Sequence, residues 1–486
     1  MTANDKPVIW TANEVAQVLG VTFKESWSAN GVSIDSRSVQ DGDLFVAIAG
    51  PNFDAHQFVV EALANGAVGA IVHCDPNTLT RDPDMASRMI QVSDTLRALE
   101  LLATHARDRS AAKIIAITGS VGKTGCKEML KLALSEQGRT TASIGNLNNH
   151  WGLPLSLARM PKETEFGIFE MGMNHAQEIR PLSLITKPDV CLITNVELVH
   201  SEFFASVEHI AAAKAEILAG LKPDGVAVLN YDNAMFDQLK SATVASGQVA
   251  IKTFGESDGA DFKLISTTPE FATLHVVANI NGNPISFGIG IPGRHWAINA
   301  MGVLATVDAV GGDVGQAAAK LQDMHGITGR GACHEVEIEG GSFLLIDESY
   351  NASPIAMSAA LDVLGQMPVT DAGRRIAVLG DMLELGEEAE KFHCELKEPL
   401  LKNGVDLVFT AGQYMARLWD ALPPQNRGGH AMTARQLAPL VIAALKPGDV
   451  VSVKGSLGSK TGIIVSQLLN MSSQNDQRPH RSINCN

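Results

Sequence analysis

The chain has 486 residues, a formal net charge of −15, 45% hydrophobic residues and only 5% aromatic residues. The length accommodates two to four domains with sizeable cores. The acidic balance excludes a non-specific nucleic-acid binder, and the scarcity of aromatic residues excludes an RNA platform built on base stacking.

The N-terminus, MTANDKPVIW, lacks the basic and then apolar pattern of a secretory signal. No apolar run approaches the ~20 residues that span a bilayer, so no membrane span is expected. Cys74, Cys126, Cys191, Cys333, Cys394 and Cys485 form no C-x-x-C pair and no zinc spacing. Core thiols in a reducing, cytoplasmic compartment are the expectation.

Residues 1–93 read as a small α/β domain. Thr11-Ala12-Asn13-Glu14 has the capping-box pattern of a helix start. Leu44–Ile48 and Gly69–Val72 read as strands, with a helix from Ala55 to Asn65 between them. Asp35-Ser36-Arg37 lies in a loop; alone, these are turn residues. A helix from Asp94 to Ala111 leads into the second domain, 94–325.

That domain opens on the most informative stretch of the chain, Ile114 to Gly138. An apolar strand, Ile114–Ile117, runs into Thr118-Gly119-Ser120-Val121-Gly122-Lys123-Thr124. Apolar residues at Cys126, Met129, Leu130, Ala133 and Leu134 then fall on one helix face, and Gly138 is the expected stop. Strand, glycine turn, lysine and helix make a phosphate cradle: backbone amides and the positive helix end face the anion, and Thr124 offers a hydroxyl to Mg²⁺. The spacing T-G-x-x-G-K-T is shorter than G-x-x-x-x-G-K-[ST], because Ile117 stands where that motif has glycine.

Further apolar strands follow at Phe166–Met171, Val190–Val196 and Gly225–Asn230, alternating with helical stretches. This pattern predicts a parallel, doubly wound sheet with functional groups at its carboxyl end, where Glu170 and Asn195 stand. Residues 208–221 form a helix with Lys214 among alanines. Glu170, His200 and Lys214 are, one by one, ordinary surface residues; beside a phosphate cradle, the Glu170 carboxylate and the His200 imidazole make a candidate metal set. Residues 260–292 alternate, with Asn281-Gly282 predicting a hairpin, and a helix follows over Trp296–Val310.

The third domain, 326–471, again reads as Rossmann-like α/β, with strands at Phe343–Ile346, Ile376–Leu379, Leu407–Phe409 and Val450–Val453. The polar tail, 472–486, is expected to be disordered. Three α/β domains around a cradle imply nucleotide binding with a second substrate held between domains. Phosphoryl transfer and ATP-driven ligation both fit, and a non-catalytic nucleotide-binding module is the rival class. A GTPase is disfavoured, since no N-K-x-D motif is present.

Ten segments now coincide, in order, with one family: IDSRSVQDGDLFVAIAG, TGSVGKT, GNLNNHWGLPLSL, FEMGMNH, ITNVELVH, AAAKAEIL, PGRHWAINAM, IDESYNASP, VLGDMLELG and VKGS. The chain resembles the Mur ligases of peptidoglycan precursor synthesis, and most nearly the MurF type. The D-N-P-R of the diamino-acid-adding ligases is absent. Folylpolyglutamate synthase shares the ATP domain but lacks the Asp-Ser-Arg type of first domain.

The resemblance implies ATP-dependent joining of D-alanyl-D-alanine to UDP-MurNAc-tripeptide through an acyl phosphate. The rival steps are another Mur ligase reaction or nucleotide binding without catalysis. It implies a UDP-sugar-binding first domain, with Asp35, Ser36 and Arg37 in it. The backbone of Gly119, Ser120, Val121, Gly122, Lys123 and Thr124 would cradle ATP, with Asn299 near the adenine and Arg330 and Asp347 closing over the γ-phosphate and ribose. Two Mg²⁺ ions would be held by Thr124, Glu170, His200 and a carbamylated Lys214. Lys123, Glu170, His200, Lys214 and Arg330 would carry catalysis. Asn148, Asn149, Asn351, Lys454 and Ser456 would meet the substrates. No nucleic-acid partner is implied, and a monomer is expected. The chain departs from the family pattern at Ala55, Gly125, Trp296 and Leu457, where Gly, Ser or Thr, Asn and a polar residue are usual.

Overall fold

The computed structural model describes residues 7–50, 53–198, 202–247, 249–270, 273–370 and 372–475. Its larger sheets have four, nine and six strands, in chain order. The first is all parallel, in the order Gly31–Ser33, Asp43–Val46, Gly69–Val72 and Met89–Gln91. The expected helix behind it starts as a 3₁₀ turn, Ala55–Phe58, before Val59–Ala64, because Asp54 caps the turn through the His56 amide.

The helix Thr95–Asp108 bridges two cores. Its Leu99 and Leu102 pack on the first sheet, and Ala103 packs on the central one. Trp10 clamps the same junction. It is fully buried, donates from Nε1 to the Ala158 carbonyl at 2.8 Å, and carries the Arg109 guanidinium 4.1 Å above its ring. Trp10→Ala is expected to cost about 3–5 kcal/mol, from the cavity it leaves. A fall in thermal unfolding temperature would check this. The predicted capping box at this point is half made: Thr11 accepts the Glu14 amide at 3.3 Å, but the Glu14 carboxylate turns to Arg109 at 2.6 Å.

In the nine-stranded sheet the cradle strand, Lys113–Thr118, lies between Phe166–Glu170 and Val190–Ile193. The chain enters this sheet at its first strand and then winds out on both sides. A crevice therefore opens at the carboxyl end of Lys113–Thr118, where ligands bind in such sheets. Ile114 to Ile117 are all fully buried, as a strand covered on both faces requires. Val226–Asn230, Ala250–Gly255 and Phe262–Glu270 continue the parallel order, and two antiparallel strands, Thr273–Ile280 and Asn283–Ile289, close the edge. The Asn281-Gly282 hairpin forms as predicted, with φ of 49° and 88° at the two turn residues.

Two boundaries that differ from expectation bear on the site. The Val190 strand ends at Ile193, which frees Thr194 to Glu197 to grip the cradle. The Lys214 helix ends at Ala215 and tightens into a 3₁₀ turn, Glu216–Gly220, where Gly220 packs directly on Ser183.

The third sheet runs Ala332–Ile338, Gly341–Glu348, Val450–Lys454, Arg375–Gly380, Leu407–Ala411 and Arg427–Ala431, parallel except for its first hairpin. The last helix, Gly462–Asn475, seats Ile464, Val465 and Leu468 in this core. It therefore carries 472–475 as helix, which corrects the expectation of disorder there; 476–486 lie outside the described residues.

Candidate active site

The helix Lys123–Ser135 follows the cradle strand directly, after a turn in which Gly122 takes φ 87°. The loop past Ile193 fixes that turn. Asn195 accepts the Val121 amide at 3.0 Å, its carbonyl accepts the Ser120 amide at 3.0 Å, and Thr194 Oγ1 donates to the Val121 carbonyl at 2.6 Å. Gly119 is needed for close approach: a Cβ there would sit 1.8 Å from Thr194 Oγ1.

Lys123 folds over the turn, with Nζ 2.7 Å from the Gly119 carbonyl. Burial lowers its pKa; the Glu170 carboxylate opposes this and the Arg330 guanidinium adds to it. Thr124 Oγ1 donates to Glu170 Oε2 at 2.9 Å, and Asn148 Nδ2 donates to Glu170 Oε1 at 2.8 Å. Glu170 is thus a buried carboxylate at a strand end, held by neutral donors.

These groups line a cavity of about 520 Å³. Ser120 to Thr124, Asn148, Glu170 and Asn299 come from the central sheet, and Arg330, Asn351 and Lys454 come from the C-terminal side. The Arg330 guanidinium stacks 4.2 Å over Tyr350. Lys454 Nζ donates to Glu348 Oε2 at 3.2 Å and to the Asn351 carbonyl at 3.0 Å.

The other expected residues stand behind or apart from this lining. Lys214 is 2% exposed; burial, and then the Lys123 ammonium, push its pKa well below the usual lysine value. Asp347 supports the Arg330 loop, accepting the Gly329 amide at 2.8 Å and the Ser349 hydroxyl at 2.6 Å. Asn149 accepts the Gly152 amide at 2.9 Å at the start of the next helix, and Ser456 accepts the Leu383 amide at 3.0 Å. Asp35 and Arg37 pair at 2.7 Å on the first domain, with Ser36 buried between them. The Arg37 hydrogen bond lowers the Asp35 pKa. His200 lies outside the described residues.

Several lining residues were not singled out as site residues from the sequence: Asn230, Asp232, Asn233, His295, Glu348 and Tyr350. The polar run Asn230-Tyr231-Asp232-Asn233 directly after an apolar strand was a readable signal, since ligand-binding groups gather at carboxyl ends of such strands.

Two of the departures meet in space. A Cβ on Gly125 would lie 2.5 Å from Trp296 Cζ3, so the small residue after the cradle makes room for the indole. Gly125→Ser is expected to weaken ATP binding by about 1–3 kcal/mol through overpacking, and Trp296→Asn in the same chain to restore part of it. Calorimetric ATP titrations of the single and double variants check this. At the third departure, Ala55 is buried while Asp54 and His56 keep their bond, Nδ1 to Oδ1 at 2.6 Å.

Asp54, His56 and His73 are close enough together to suggest a metal site among the described residues. Both His56 nitrogens are already engaged, Nδ1 with Asp54 and Nε2 with the His73 amide at 2.9 Å. The cluster is therefore a structural clasp.

Comparison with known proteins agrees with this geometry. Family models match three stretches: "Mur ligase family, catalytic domain" at 28–108, "Mur ligase middle domain" at 117–307 and "Mur ligase, glutamate ligase domain" at 335–457. The UDP-N-acetylmuramoyl-tripeptide–D-alanyl-D-alanine ligase of Rickettsia prowazekii (strain Madrid E) is 35% identical over 458 residues, covering 94% of this chain and 99% of its own. MurF from Acinetobacter baumannii superposes with a TM-score of 0.81 at 28% identity, covering 95% of this chain and 99% of its own. MurF ligase from Thermotoga maritima in complex with ADP gives 0.74 at 27% identity, covering 92% and 98%. The chain belongs to the Mur ligase family, and within it to the MurF type.

Proposed function

We propose that the chain joins D-alanyl-D-alanine to UDP-N-acetylmuramoyl-tripeptide with ATP, forming the pentapeptide precursor. The observation that carries this is one cavity lined from both sides: the phosphate cradle and Glu170 from the central sheet, and Arg330 and Lys454 from the C-terminal side. A ligase of this kind needs a phosphate site and an acceptor site that open onto each other.

In the first step a carboxylate oxygen of the tripeptide attacks the γ-phosphorus and ADP leaves. In the second the dipeptide amine attacks the resulting acyl phosphate; phosphate leaves and the amine proton is lost. The difficulty lies in the first step, because carboxylate and γ-phosphate are both anions. At ~4 Å and an effective dielectric of ~20, each pair of unit charges repels by ~4 kcal/mol. The cradle amides and Lys123 bind the phosphates, and Arg330 brings a second cation to the same cavity.

The residues present fit Mg²⁺. Thr124 and Glu170 place a hydroxyl and a carboxylate oxygen 2.9 Å apart beside the cradle, an all-oxygen donor set of the kind this ion selects. Bound there, Mg²⁺ would neutralise phosphate charge. His200 and a carbamylated Lys214 belong to the second ion in this reading. The Lys214 environment favours the modification: burial and the neighbouring Lys123 ammonium push its pKa well down, toward the neutral amine that adds to CO₂ with loss of a proton to give a carbamate anion. The first domain, with Asp35, Ser36 and Arg37, would hold the UDP-sugar, and Asn299 the base. Both sides of the cavity come from one chain, which supports a monomeric enzyme. Its nucleotide-linked substrate and its use of ATP support a cytoplasmic enzyme.

The test is incubation with ATP, Mg²⁺, UDP-MurNAc-tripeptide and D-alanyl-D-alanine, with the product read by mass. Pentapeptide and dipeptide-dependent phosphate release are expected. Turnover only with a free diamino acid and the preceding dipeptide precursor would instead assign the adjacent ligase step.

A further inference from the structure

The helix Pro354–Gln366 points its N-terminus into the same cavity, which Asn351, Ser353, Ile355 and Ala356 line. Ser353 occupies the N-cap in extended conformation, φ −144° and ψ 161°, where a serine normally accepts an amide of the first turn. It makes no such bond. Its Oγ is buried without a hydrogen-bond partner, on a residue only 6% exposed. Pro354 at the first helical position has no N–H to offer, and the next two amides, of Ile355 and Ala356, have no acceptor within the helix. Lys454 stands at the same end of the cavity. Two partners engage its ammonium, which carries three donors.

A hydroxyl, two amides, a positive helix end and an ammonium all favour one anion. Beyond them the cavity wall is Ala356, Ala359 and Ala360, an apolar surface of methyl groups. The nucleotide phosphates already have their own helix N-terminus and lysine at Gly119–Thr124. The second anion site therefore suits a carboxylate on a short, methyl-bearing chain. We infer that Ser353 and the amides of Ile355 and Ala356 bind the terminal carboxylate of the incoming D-alanyl-D-alanine, with Ala356, Ala359 and Ala360 against its methyl groups. This rests on the ligase reading above. It sets the dipeptide amine about 7 Å from the bound carboxylate, two extended residues away.

The experiment compares D-alanyl-D-alanine with D-alanyl-D-alaninamide, which lacks the terminal charge, in the wild-type chain and in Ser353→Ala. The variant removes a hydroxyl that bonds to nothing, so its thermal unfolding should match the wild type. The wild type should prefer the free acid by about a hundredfold in kcat/KM. In Ser353→Ala the KM for D-alanyl-D-alanine should rise about tenfold, the KM values for ATP and tripeptide should stay within twofold, and the preference over the amide should shrink by the same tenfold. An unchanged preference in the variant, or a rise confined to the KM for ATP or tripeptide, overturns the carboxylate site while ligation itself stands. Absence of pentapeptide from the wild type overturns the ligase reading and this site with it.

Discussion

Lys214→Ala all but abolishes ligation, by about 10²–10³-fold in kcat, and short carboxylic acids such as formate or acetate added to the assay restore part of it. The expectation follows from where the amine sits. Lys214 is buried in a helix of alanines, 2% exposed, with a second ammonium close enough to depress its pKa. A buried lysine amine is an expensive way to fill a core position unless it has a use. As a carbamate it becomes an anion, and loss of an electrostatic group of this kind typically costs 10²–10³-fold. Steady-state phosphate release with and without added acid checks the result. Full activity in Lys214→Ala, or a loss that no small acid relieves, removes the carbamate from the account.

Lys123→Ala is expected to lower kcat/KM by about 10³-fold and to weaken ATP binding, and Lys123→Arg should not restore either. The Nζ atom is tucked 2.7 Å from the Gly119 carbonyl, inside the turn whose glycine already lies against Thr194. A compact ammonium fits there and a planar guanidinium does not. ATP titration and initial rates of the three proteins decide the matter. Near-normal turnover in Lys123→Arg would mean that charge alone suffices and that the geometry of the cradle is not limiting.

The cradle was readable because all its parts are local. Strand, glycine turn, lysine and amphipathic helix are contiguous from Ile114 to Ser135, and the helix ends three residues short of Gly138. The Asn281-Gly282 hairpin was readable for the same reason: two residues with positive φ determine the turn. Glu170 and Asn195 could be placed at strand ends once a parallel sheet was expected, although the shorter strand at Val190–Ile193 moved Asn195 into a loop. What escaped was tertiary. Nothing along the chain says that Gly125 faces Trp296, since the two meet only where their helices, far apart in sequence, pack together. Nothing in the order Ser353-Pro354 reveals that the serine declines its usual capping bond; the pattern predicts the opposite. Asp347 and Ser456 sit in recognisable motifs, yet their side chains are spent on backbone amides behind the cavity lining.

The proposed ligation activates a carboxylate by direct phosphorylation in this cavity. Its most direct test is isotope transfer: UDP-MurNAc-tripeptide labelled with ¹⁸O in its terminal carboxylate is turned over with ATP and D-alanyl-D-alanine, and the released phosphate is analysed by mass. An acyl phosphate carries one carboxylate oxygen away with the phosphate, so the account predicts one ¹⁸O in each phosphate released during pentapeptide formation. Unlabelled phosphate from a fully labelled carboxylate would contradict it.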